Sequence, residues 1–138
     1  LIPISRKPNP ESLDLDDTMT LSKAFMDLGN NIIIFPEGSR GEVGKIQRFR
    51  KGAVKFSMGL DVPILPAAIM GAEKAWPKGE KFIKPFPITV KVLPKIDPPK
   101  TEELSKTAYN KALSKITKEL EIKISEALKE LEETKSPD

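Results

Sequence analysis

A chain of 138 residues is long enough to bury one core, but this one contains no histidine and no cysteine. It therefore lacks the usual general base, the commonest metal ligand, thiolate chemistry and disulfides, and any catalysis confined to it falls to Asp, Glu, Lys and Tyr. Its formal net charge is only +3, so a preference for anions has to come from local clustering, and no RNA- or DNA-binding motif accompanies the basic residues.

No apolar run approaches the roughly 20 residues that cross a bilayer, and no stretch reads as a signal peptide. In chain order, residues 2–5 read as a short strand, with Pro3 tolerable near its beginning or edge. Lys7-Pro8-Asn9-Pro10 is a turn or loop. Asp17 or Thr18 is the expected N-cap of a helix carrying Leu21, Ala24, Phe25 and Leu28 at helical spacing, with Gly29 at C′. The β-branched run from Asn31 to Phe35 then reads as a buried strand. It breaks at Pro36 and Gly38, where Glu37, Ser39 and Arg40 emerge. This order is that of a parallel α/β unit with a right-handed crossover. In such a unit Arg6 and the Glu37–Arg40 turn share one sheet edge, and ligands bind beyond the carboxyl ends of the strands.

Lys45, Arg48, Arg50 and Lys51 precede a short helix, Lys51 to Met58, closed by Gly59, whose Ala53, Phe56 and Val54 pack on the sheet. The basic cluster reads either as a solvated loop or as an anion site at a helix N-terminus. Residues 62–69 form an apolar strand marked by Pro63 and Pro66, and Gly71 follows it. From Ala72 to Pro87, Trp76, Phe82 and Phe86 alternate with Lys74, Lys78, Lys81 and Lys84. That pattern fits a membrane-contact loop, and equally a loop that covers the core with its aromatics inward. Residues 88–93 alternate as a strand with Lys91 outward. A proline-rich exit leads to a long helix begun at Thr101, with Leu104, Ala108, Ala112, Leu113, Ile116, Leu120, Ile124, Leu128 and Leu131 in one stripe. This helix reads as a lid packed on its own domain or as a partner-binding arm, and packing on its own domain is the expectation. The fold class is thus α/β, a mainly parallel sheet with flanking helices and a long C-terminal helix.

A phosphate monoester is held well by bidentate guanidinium groups and by backbone N–H groups that a glycine leaves approachable. Arg6, Gly38, Ser39 and Arg40 are such parts. Glu37 would repel a phosphate, so it is expected to orient an Arg or to accept a hydrogen bond from a hydroxyl. On residue types alone, surface arginines paired with nearby acids explain the same pattern.

Phe35-Pro36-Glu37-Gly38-Ser39-Arg40 resembles the Phe-Pro-Glu-Gly-Thr/Ser-Arg motif of the glycerolipid acyltransferases, a family that includes lysophosphatidic acid acyltransferases. Ile4-Ser5-Arg6, Phe49-Arg50-Lys51-Gly52 and Val62-Pro63-Ile64-Leu65-Pro66 resemble further blocks of that family, in the same order. The family's His-x-x-x-x-Asp block is absent. The resemblance covers roughly residues 1–97 as the later part of an acyltransferase domain, with residues 98–138 as a helix and charged tail. It implies that the catalytic His and Asp lie upstream of Leu1, in keeping with a fragment.

The resemblance further implies acyl transfer from acyl-CoA or acyl-carrier protein to glycerol phosphate or a lysophospholipid. The thioester is a co-substrate, and no metal or other cofactor is expected. Arg6, Glu37, Gly38, Ser39 and Arg40, with Lys51 secondary, are the acceptor-binding residues it carries over. It also implies a cytoplasmic protein peripheral to the membrane and no nucleic-acid partner. The alternative is a non-catalytic module that binds anionic lipid or a protein partner.

Overall fold

The structure, a computed structural model, describes residues 15–39, 45–102 and 104–134. The expected strand at residues 2–5, Arg6 and Arg40 lie outside the described residues. The chain divides into two compact units, Leu1–Ile34 and Phe35–Asp138.

In the first unit, helix α1 spans Leu15–Asp27, with Asp16 and Asp17 in its first turn, where carboxylates favour the positive end of the helix dipole. Gly29 ends it as expected, at φ +83°, its N–H donating to the Met26 carbonyl at 2.8 Å. Asp17 and Thr18 fall inside the helix and not at its cap. The buried face is also not the one the apolar spacing marks, since Thr18 and Ser22 are buried whereas Leu21, Phe25 and Leu28 are exposed. Residues 31–35 pair with no strand among the described residues, which corrects the expected buried strand there. A strand exists only as a ladder with a neighbour. Among the described residues nothing supplies one, and Ile33 is 82% exposed.

The second unit contains helix α2 (Gly52–Leu60), strand β1 (Ala67–Met70), helix α3 (Ala72–Ala75), strand β2 (Thr89–Val92) and helix α4 (Lys106–Glu133). Its two strands are antiparallel, Ala67 opposite Val92 and Met70 opposite Thr89. The pairing continues through a bridge between Ile64 and Ile96. The expectation of a mainly parallel sheet is therefore corrected for the described residues. A parallel return needs a helix long enough to cross the sheet, and α3 is only four residues. Helices and strands both occur, and β2 falls within the expected 88–93, whereas β1 starts five residues later than the expected 62–69 and ends one residue beyond it.

One face of this sheet lies under α4. Ala68 is fully buried there, and Lys91, opposite Ala68, reaches Glu130 of α4 in an ion pair. Lys91 is thus not outward as expected. Val90 and Val92 face away and are exposed. The Lys91 stem lies along the covered face and its ammonium escapes to a carboxylate at the rim.

The core is built from Phe49, Val54, Met58, Ile96, Leu113, Ile116 and Leu120, each contributing about 1.5–3 kcal/mol through burial of its side chain. α4 packs on both α2 and β1, as its stripe requires. Its cap is Ser105, whose hydroxyl accepts the Ala108 N–H at 3.2 Å, so the helix starts later than Thr101. α2 runs past Gly59 and stops at Asp61, which takes a left-handed conformation and returns its N–H to the Ser57 carbonyl. Among the described residues no helix is long and apolar enough to cross a membrane.

Candidate functional site

Proline and glycine force the chain to reverse just after Phe35. The Gly38 N–H donates to the Phe35 carbonyl at 3.0 Å, and Gly38 sits at φ +72°, a region glycine enters without a Cβ clash. This turn is tied to the segment 47–50 by three contacts. The Arg50 N–H donates to the Pro36 carbonyl at 2.8 Å, and the Gln47 N–H donates to Glu37 Oε2 at 2.9 Å. Ser39 Oγ meets Gln47 Oε1 at 3.4 Å. Two of the sequence blocks singled out above, around Glu37 and around Arg50, are therefore one structural unit.

The 47–50 segment is fixed in turn from its other side. The Phe49 side chain is in the core, and its N–H donates to Glu121 Oε2 of α4 at 3.0 Å. Glu121 also accepts from Lys118 Nζ at 2.6 Å. The Lys118 hydrogen bond, then the Phe49 N–H, hold this carboxyl below its ordinary value of 4.5 against the opposing effect of burial, with the charges of Lys118 and Arg48 adding less. Beside it runs an open crevice of about 630 Å³, lined among others by Arg48, Phe49, Lys51, Ser114, Lys118 and Glu121.

The structure thus brings Glu37, Gly38 and Ser39 together with Gln47. One carboxylate oxygen of Glu37 is occupied by the Gln47 backbone, so this residue positions the turn. Lys51 is turned elsewhere: its Nζ donates to Ser114 Oγ of α4 at 2.8 Å, inside the crevice. Arg6 and Arg40 lie outside the described residues. Gln47 and Glu121 were not singled out from the sequence. No pattern marks Gln47, and Glu121 is one acid among many in a Lys/Glu helix.

The sequence model of the Acyltransferase family matches residues 1–70. The chain is 42% identical over 67 residues to a 1-acyl-sn-glycerol-3-phosphate acyltransferase of Limnanthes douglasii, covering 49% of this chain and 24% of that protein. It is 31% identical over 104 residues to one of Cocos nucifera, covering 75% of this chain and 32% of that protein. Among solved structures it resembles the 1-acyl-sn-glycerophosphate acyltransferase of Thermotoga maritima, with a TM-score of 0.54 and 25% identity over 75% of this chain and 43% of that one. The chain therefore spans about a quarter to under a half of the length of these relatives. With the family match running through both blocks that the structure ties together, this chain belongs to the acyltransferase family.

Proposed function

We propose that this chain is the acceptor-binding portion of an enzyme that moves a fatty acyl group from acyl-CoA or acyl-carrier protein to a hydroxyl of glycerol phosphate or a lysophospholipid. The observation that carries the reading is the fixed Phe35–Ser39 turn, docked on Gln47–Arg50 within a family-matched region. The relatives are 1-acyl-sn-glycerol-3-phosphate acyltransferases, and their acceptor carries a phosphate next to a free hydroxyl.

In the proposed reaction the acceptor oxygen attacks the thioester carbonyl. A C–O bond forms, the C–S bond breaks, the hydroxyl proton passes to a base and the thiol leaves. The role of this chain is to hold the acceptor phosphate through the Ser39 backbone, which Gly38 leaves approachable by having no side chain, and through the Arg6 and Arg40 guanidinium groups, while Glu37 keeps the turn in shape. Lys51 has a secondary role through its place at the start of α2. The base comes from outside residues 1–138, because the chain contains no histidine. No metal or additional cofactor enters this scheme, and the enzyme works at a membrane surface from the cytoplasmic side.

The test is a titration of the chain with a short-chain lysophosphatidate, followed by the backbone amide resonances. Saturable shifts centred on residues 37–39 and 47 are expected. Shifts scattered over the surface, or none, would remove the acceptor assignment. A reconstituted full-length enzyme that binds the same lipid and transfers nothing would instead favour a non-catalytic lipid-binding module.

A further inference from the structure

The segment joining β1 to β2 has a fixed shape. Gly71 sits at φ +94°, and a Cβ there would lie 2.2 Å from the Pro87 carbonyl oxygen, so the two ends of the segment pass in direct contact. Further along, the Lys84 N–H donates to the Ala75 carbonyl at 2.8 Å, Trp76 Nε1 to the Glu80 carbonyl at 2.9 Å, and the Glu80 N–H to the Pro77 carbonyl at 3.2 Å. These bonds close residues 75–84 into a loop.

At its far side Phe82 is 79% exposed and Ile83 is 71% exposed. A soluble surface hides such a pair unless something else covers it. Four lysines, Lys74, Lys78, Lys81 and Lys84, share this segment with two glutamates. Both glutamates are occupied within it: Glu73 Oε2 accepts the Gly71 N–H at 2.9 Å, and Glu80 pairs with Lys84 at 3.5 Å. Such bonds leave the carboxylate charges in place, but four lysines against two glutamates give the segment a net charge of +2 beside the apolar pair. The centre of a protein–protein interface is poor in lysine, whereas an aromatic and aliphatic tip among lysines matches a bilayer interface with anionic headgroups.

We propose that the 75–84 loop is a wedge that docks this protein on an anionic lipid surface, Phe82 and Ile83 entering the headgroup region while Lys78 and Lys81 contact the charged lipids. This extends the reading above, in which the acceptor is a lipid, but it is tested without that acceptor.

The chain is mixed with vesicles of phosphatidylcholine, with and without phosphatidylserine, and binding is followed by co-sedimentation and by emission from Trp76, the single tryptophan. Binding to the serine-containing vesicles is expected, with a blue shift of Trp76, weakening in high salt and on neutral vesicles. Phe82→Ala with Ile83→Ala should weaken it about tenfold or more. Lys78→Gln with Lys81→Gln should weaken it by about fivefold for each lysine removed. All four residues are exposed, and an unchanged circular dichroism spectrum establishes that each variant folds. The proposal is overturned by an absence of binding to anionic vesicles, by equal binding to neutral ones, or by insensitivity to either double substitution. A self-association that these substitutions dissolve, without vesicle binding, overturns it as well. Failure here leaves the lysophosphatidate titration untouched, and the reverse holds.

Discussion

Glu37 holds the turn to the neighbouring segment through one carboxylate oxygen. Its carboxylate takes up the Gln47 N–H, which would otherwise be left without a partner in a half-buried position. Glu37→Ala should cost about 1–3 kcal/mol by denaturant unfolding, and Glu37→Gln, which keeps an acceptor oxygen, less. At the neighbouring arginine, Arg40→Ala in the intact enzyme should weaken acceptor binding about tenfold, while Arg48→Ala, outside the motif, should do much less, as charge-assisted phosphate contacts are the stronger class. Equal effects in steady-state kinetics would contradict the assignment. Glu121 carries a pH dependence of stability. Its folded-state pKa lies below its ordinary 4.5, so its contribution is present above that value and is lost as pH falls through the lower, folded one. Glu121→Gln should therefore destabilise the fold near neutrality by about 1 kcal/mol, and the difference from the parent should vanish in strong acid. Melting curves across pH measure it.

Among the elements, α4 was legible because its apolar spacing persists over many turns, and the structure packs it on α2 and β1. Leu120, fully enclosed in that packing, should cost about 2–5 kcal/mol when changed to Ala. The β1–β2 pair was harder to read. The alternation in residues 88–93 puts Ile88, Val90 and Val92 on one face and Thr89, Lys91 and Leu93 on the other, so both the apolar face and the preference for an outward lysine pointed the wrong way. Burial of Ala68 opposite Lys91 and the reach of Lys91 to Glu130 decided it. Gly71 is the hinge between β1 and the loop. Gly71→Ala should destabilise the unit by about 3 kcal/mol or more, from both the positive φ and the clash with a backbone oxygen that has little room to move. If the melt is unchanged, the loop is not anchored there.

For the molecule as a whole, the purified chain should transfer no acyl groups from a thioester to a lysophospholipid. None of its 138 residues is a histidine, and no other side chain offers a base near neutral pH without a large shift. Thioester-dependent acylation by the isolated chain would contradict this directly.

The sequence by itself determined the family, the long amphipathic helix, the turn at Pro36–Gly38 and the two apolar segments that became β1 and β2. These depend on residue type and local spacing, which a sequence carries in full. Only the tertiary structure decided that the Glu37 turn docks on Gln47–Arg50, that Lys51 turns to Ser114, and that Glu121 anchors the Phe49 backbone. Each of these is a meeting of residues distant in the chain, and the hydrogen bond that forms depends on which backbone groups remain without a partner after folding. Strand pairing belongs to the same class. Residues 31–35 have every local property of a strand and no ladder among the described residues, because a strand is completed by a neighbour that its own sequence does not contain.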